Sequence, residues 1–212
     1  MRHFVALGDS FTQGTGDPVE GLELRSAHDW LALWLKAANP GMRYTNLAAY
    51  GLRSWEIREQ QMSRGLSLQP DFISLIGPGN DALRGPFSAE RLRAELTLMF
   101  GAFRSIGAQI FTATTPDFTL RLDLPEGVAR RLRRNLEATN ALLRDLAAQY
   151  EAILYEFWQG PLDRDPAIWS EDGVHPNARG YLAIAQDVAP LLRQQGLELS
   201  PPADVLKQGV YP

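Results

Sequence analysis

The chain has 212 residues, a net charge of −4 with both signs interspersed, and no cysteine. That length suits a single α/β domain with a sizeable core. The lack of a basic stripe argues against nucleic acid as a partner, and the lack of cysteine removes disulfides, thiolate zinc sites and cysteine nucleophiles. No stretch approaches the ~18 consecutive apolar residues of a membrane span, and the first strand-like run begins at Phe4 with no room for a leader. The expectation is a cytoplasmic protein without membrane insertion.

Strand-like and helix-like stretches alternate along the chain. Phe4 to Leu7 reads as a strand. Ser26 to Ala38 reads as a helix, with Ser26 and Asp29 placed as a capping box and Trp30, Leu33, Trp34 and Ala37 on one face. Asn39-Pro40-Gly41 ends it. Tyr44 to Ala48 and Phe72 to Ile76 are the next strands, the second apolar enough to be buried on both faces. Ser88 caps a helix carrying Leu92, Leu96, Met99, Phe103 and Ile106, and Gly107 stops it. Gln109 to Thr114 is a fourth strand. Pro125 opens a long helix bearing Val128, Leu132, Leu136, Leu143 and Leu146, and Ala152 to Phe157 is a fifth strand. A last helix runs from about Ala178 to Leu192, with a kink expected near Pro190. Residues 197–212 form a proline-containing tail of irregular structure beyond a 1–196 domain. Such alternation predicts an α/β fold, a three-layer α/β/α sandwich with a central five-stranded parallel sheet.

The polar clusters lie where that sheet would put a site. Gly8-Asp9-Ser10 follows the first strand, Ala48-Ala49-Tyr50-Gly51 the second, Gly77-Pro78-Gly79-Asn80-Asp81 the third, and Asp172 with His175 the fifth. All fall beyond the C-terminal ends of strands, the edge at which open parallel sheets bind ligands. Of the three histidines, His3 lies inside the first strand and His28 at a helix start, which leaves His175 as the candidate base. Asp172, three residues earlier, can fold back to hold the imidazole in one tautomer while its other nitrogen faces Ser10. Backbone N–H groups of Ser10 and Gly51, with the Asn80 amide, would supply three donors to an oxyanion.

These residues resemble the four sequence blocks of the SGNH hydrolases, the GDSL lipase/esterase family. Gly8-Asp9-Ser10-Phe11 matches the nucleophile block with phenylalanine in place of leucine. Asn46-Leu47-Ala48 through Gly51 matches the glycine block, Asn80-Asp81 the asparagine block, and Asp172-Gly173-Val174-His175-Pro176 the last. The family pattern Gly-x-Asn-Asp is altered here, with Pro78 two before Asn80 and glycines at 77 and 79. The resemblance implies a flavodoxin-like sheet and no cofactor, and a metal is not expected because only one histidine lies near the carboxylates and no His-x-x-x-His pair exists. The resemblance also implies nucleophilic acyl transfer with Ser10 attacking an ester carbonyl, His175 as base and then acid, and Asp172 orienting His175. The partner would be a small-molecule ester, and the relatives implied include carbohydrate deacetylases, lysophospholipases and thioesterases.

Between the fourth strand and the long helix, Phe118, Leu120, Leu122 and Leu124 alternate with polar residues. Period-two alternation predicts an extended segment with these four on one face, walling an acyl site or packing on the core or a second subunit. With no long amphipathic lid, the expected substrates carry short acyl groups, acetyl to roughly hexanoyl. Two readings of another class stand beside the enzyme. Gly77-Pro78-Gly79-Asn80-Asp81-Ala82 fits the dinucleotide fingerprint Gly-x-Gly-x-x-Ala formally, although Gly85-Pro86 would break its helix, and a non-catalytic member would bind acylated ligands without turning them over. A homo-oligomer is left open, with the tail as the segment that would cross a subunit boundary.

Overall fold

The first apolar run, β1 (His3–Leu7), is buried along its whole length, as a strand covered on both faces must be. The computed structural model describes residues 1–201. In it β1 lies inside a sheet of five parallel strands with β2 (Arg43–Asn46), β3 (Phe72–Leu75), β4 (Gln109–Ala113) and β5 (Ile153–Tyr155), in the order β2-β1-β3-β4-β5. Phe4 is in register with Tyr44 on one side and Phe72 on the other. The chain thus runs outward from β1 to β2 and returns past β1 to β3. With crossovers of a single hand, this reversal puts the helix after β1 on one face and the helices after β2, β3 and β4 on the other.

The helices in chain order are α1 (Ser10–Gln13), α2 (Ala27–Ala38), α3 (Ser54–Ile57), α4 (Ser63–Ser67), α5 (Gly79–Leu83), α6 (Ala89–Ser105), α7 (Glu126–Gln149), α8 (Pro161–Arg164) and α9 (Ala178–Gln194). Alternate strand residues point to opposite faces. Accordingly Phe4, Phe72 and Phe111 pack with α2 and α9 in one apolar layer, while Val5, Ile73 and Ile110 pack with α6 and α7 in the other. The Ser26–Asp29 capping box forms as expected. Ser26 Oγ accepts from the Asp29 N–H at 3.0 Å and the Asp29 carboxylate accepts from the Ser26 N–H at 3.2 Å.

Several expectations are corrected. The ends of β2 and β5 reach less far than Ala48 and Phe157, because those residues leave the ladder to build loops at the sheet edge. Ile106 lies beyond the end of α6 and is exposed rather than on its buried stripe. Helices α3 and α4, joined by a π-helical turn at Arg58–Met62, have no counterpart in the sequence reading. Most important, residues 117–124 do not form one extended strand-like segment. Asp117 accepts from the Thr119 N–H at 3.1 Å and its hydroxyl at 2.5 Å, which closes Phe118–Leu120 into a 3-10 turn. The turn sends Phe118 inward, 2% exposed, and Leu120 outward, 49% exposed. The two therefore cannot share a face. Leu122 and Leu124 pack with Phe118 against Ala82, Leu132 and Leu136, the core packing that the sequence offered as an alternative.

Past residue 196 the chain is still part of the folded body, since Leu197 and Leu199 are buried in the α2/α9 layer and the Ser200 N–H donates to the Trp34 carbonyl at 3.0 Å. The remainder of the tail, residues 202–212, lies outside the described residues. Among the described residues no helix is long and apolar enough to cross a membrane.

Candidate active site

The reversal of the chain between β1 and β3 opens a crevice at their C-terminal ends. Gly8 and Asp9 carry the chain from β1 into α1. A Cβ at Gly8 would meet Thr12 Oγ1 at 2.2 Å and the Ile76 carbonyl oxygen at 2.3 Å, so only glycine permits this approach. Gln61, in the π-helical turn, holds Gly8 as a neighbouring strand would. Its amide donates to the Gly8 carbonyl at 2.8 Å, and its carbonyl accepts from the Gly8 N–H at 2.9 Å. Asp9 caps α1, accepting from the Phe11 N–H at 3.0 Å, and leaves Ser10 as the first helical residue with its side chain at the crevice.

The opposite wall is the loop before α9. The Ser170 N–H donates to the His175 carbonyl at 2.8 Å, and Asn177 caps α9 by accepting from the Gly180 N–H at 2.9 Å. Arg121 reaches across to clamp the loop, donating to the Gly173 carbonyl at 3.1 Å and to Asp163 while its guanidinium lies 3.5 Å from the Trp169 ring centroid. Asp17 fastens it from the N-terminal side through the Glu171 N–H at 2.8 Å. So held, His175 presents Nε2 to Ser10 Oγ at 2.8 Å and Nδ1 to Asp172 Oδ2 at 2.6 Å. The Phe11 and Tyr50 rings, each with its centroid 6.0 Å from that of the imidazole, flank it. Tyr50 itself is 66% exposed.

Burial by itself would raise the Asp172 carboxyl. Hydrogen bonds from the His175 ring and from the His175 and Val174 N–H groups outweigh it and hold the acid below its usual range, ionised at neutral pH. Asp9 behaves oppositely. Complete burial pushes it up to about 6, against the lowering pull of the Phe11 N–H and the His175 charge. Asn80 donates to Asp9 at 3.0 Å and to the Leu52 carbonyl at 3.1 Å, so both hydrogens of its amide are engaged. Asp81 accepts from the Ser54 N–H and hydroxyl at 2.8 and 2.7 Å, which pins the start of α3. With these two side chains turned to protein partners, and α5 only five residues long, the Gly77–Ala82 stretch lacks the helix a dinucleotide fingerprint needs.

A cavity of about 440 Å³ opens at this point. Ser10, Asp172, His175, Gly51, Asn80 and Phe118 all line it, whereas Leu120, expected beside Phe118, does not. Gly51 has a φ of 74°, and its carbonyl accepts from Arg84 at 2.8 Å. Gln61, Arg121 and Tyr50 are the contributors that sequence reasoning missed. Gln61 and Arg121 act through backbone carbonyls, which no residue pattern advertises, and Tyr50 is signalled only by standing next to Gly51.

The model of the GDSL-like lipase/acylhydrolase family matches residues 6–183. The GDSL lipase Rv0518 of Mycobacterium tuberculosis is 25% identical over 201 residues, covering 92% of this chain and 83% of that protein. Solved structures that share the fold include the following two. An acetylxylan esterase from Geobacillus stearothermophilus superposes with a TM-score of 0.72 at 17% identity, covering 90% of this chain and 94% of its own. A lipase/acylhydrolase from Enterococcus faecalis has a TM-score of 0.69 at 19% identity, covering 95% of this chain and 99% of its own. The chain belongs to the GDSL-like lipase/acylhydrolase family and is, with it, a carboxylic ester hydrolase.

Proposed function

We propose that the protein hydrolyses small-molecule carboxylic esters through an acyl-enzyme on Ser10, with His175 as base and Asp172 as its orienting carboxylate. The observation that carries this reading is the unbroken hydrogen-bonded line from Asp172 through His175 to Ser10 at the mouth of the cavity. Ser10 Oγ adds to the ester carbonyl while its proton passes to His175 Nε2. The imidazolium that forms is stabilised by the ionised Asp172 at Nδ1. Collapse of the tetrahedral intermediate breaks the bond to the alkoxy oxygen, which leaves with that proton as the alcohol. Water then repeats the sequence on the acyl-enzyme and releases the carboxylic acid.

The oxyanion falls to the N–H groups of Ser10 and Gly51 and to Asn80. Asn80 serves by exchanging its hydrogen bond to the Leu52 carbonyl for one to the substrate oxygen while keeping Asp9. A charged acceptor binds an amide hydrogen more strongly than a peptide carbonyl does, so the exchange is favourable only as charge develops. Steady-state hydrolysis of a p-nitrophenyl ester tests the reading. Ser10→Ala should lose at least ~10⁴-fold in kcat while keeping the parent's melting temperature. Activity within tenfold of the parent in a folded Ser10→Ala would refute it.

A further inference from the structure

The short-acyl expectation rested on the lack of a long amphipathic lid and on a short extended segment at 117–124, and that segment is not extended. The cavity points elsewhere. From Ser10 it passes beneath the sheet edge into the layer between the strands and helices α2 and α9. There it is walled by His28 and Leu31 of α2, by Tyr181, Ile184 and Val188 of α9, and by Phe111 of β4. Ile76, Ala113 and Ile184 pack against the largest apolar cluster of the molecule yet remain only partly buried, because they face this space.

We propose that the acyl chain of the substrate occupies this chamber, and that the enzyme prefers straight medium-length chains. The proposal rests on the Ser10 reading above and names the substrate class for that site. Native cores tolerate few voids larger than a water molecule, and an apolar void is a ready site for an apolar guest. The polar atoms on its walls already have protein partners. Tyr155 donates to Asp187 at 2.6 Å, Tyr181 to the Thr15 carbonyl at 2.7 Å and Thr114 to Glu156 at 2.8 Å, while His28 Nε2 meets Ser74 Oγ at 2.8 Å. His28 Nδ1 is buried and makes no hydrogen bond. Burial depresses the His28 pKa to about 4, so the ring is neutral at neutral pH. His28 Nδ1 apart, these deep wall groups neither require water nor carry a charge that repels a hydrocarbon.

The length follows from α9. Tyr181 stands near the mouth, its ring 6.4 Å from Phe11, and Val188 lies further along the same helix. Seven residues at ~1.5 Å each put Val188 about 10 Å from the level of Tyr181. Carbon–carbon bonds of ~1.5 Å in a zigzag advance ~1.3 Å apiece, so this depth holds about eight carbons.

The test is the ratio of kcat/KM across p-nitrophenyl esters from acetate to dodecanoate. The parent should peak at octanoate or decanoate. Ile184→Trp, which fills the chamber, should lower the octanoate-to-acetate ratio at least about tenfold, the worth of two methylenes denied burial. Val188→Ala, which deepens it, should move the peak toward dodecanoate and serves also if the tryptophan variant does not fold. A parent peak at acetate or butyrate, or one unaltered profile in every folded variant, would overturn the chamber while leaving Ser10-dependent turnover in place. Failure of the Ser10 reading shows itself differently, as ester turnover that survives Ser10→Ala.

Discussion

At the mouth of the cavity polar groups are held by directional bonds: the Gly8 backbone by Gln61 and the Asn80 amide by Asp9 from distant parts of the chain, and His175 by Asp172 three residues before it. In the chamber beneath it the walls come from α2, α9 and β4 and are mostly hydrocarbon or aromatic. Directional bonds fix the positions of reacting atoms to fractions of an ångström, which is what a chemical step requires. Apolar walls give an attraction that grows with area and has little direction, which suits the grip on a flexible chain. Damage at the mouth should therefore fall on kcat. Damage in the chamber should fall on the choice among acyl lengths.

Asp172→Asn gives the largest contrast after loss of the nucleophile. An amide at that position can offer His175 Nδ1 a donor where an acceptor is needed, favouring the wrong tautomer, and kcat should drop by ~10⁴-fold with the fold intact. A fall of less than tenfold would mean that the Asp172–His175 hydrogen bond is not used in the reaction. Asn80→Ala should cost kcat ~10²–10³-fold with KM little changed, because the amide is required only once charge develops on the carbonyl oxygen. If KM alone rises, Asn80 contributes to substrate binding and the mouth is not the purely kinetic region described above.

The smallest effects are on stability, and they come from one buried group in each region. The Asp9 carboxyl is raised to about 6 by burial, so the contribution it makes is complete below its unfolded value of 3.8 and is lost as pH rises through 6. His28 is lowered from 6.5 to about 4 by burial, so its contribution is complete above 6.5 and is lost as pH falls toward 4. Each amounts to on the order of 3 kcal/mol across its window, and the two oppose each other between pH 4 and 6. In urea unfolding, measured as differences from the parent, Asp9→Asn should gain stability as pH rises from 4 to 6, and His28→Gln should lose it. Parallel profiles in all three proteins would show that neither group is held as its burial implies.

How far the sequence disclosed this molecule depended on where the governing forces lay. Strand β1, the Ser26–Asp29 cap and the Asp172–His175 offset are local patterns, and each reappears in the structure. Helices α3 and α4 escaped because their inward positions are Ser54, Ile57, Gln61 and Gly65, of which only Ile57 is a large apolar residue. An inward glutamine that braces Gly8 erases the periodicity by which a helix is read. The 117–124 segment failed for the opposite reason, since a genuine alternation was overruled by the Asp117 carboxylate bonding to Thr119. The chamber was invisible for a third. It is a gap between α2, α9 and β4, and a gap leaves no residue pattern.

The most direct test of the central claim is covalent. A fluorophosphonate should add once, to Ser10, at a rate that falls sharply in His175→Ala, and the adduct should be absent from Ser10→Ala when the peptides are mapped by mass spectrometry. Labelling of another serine, or undiminished labelling of Ser10→Ala, would contradict the account.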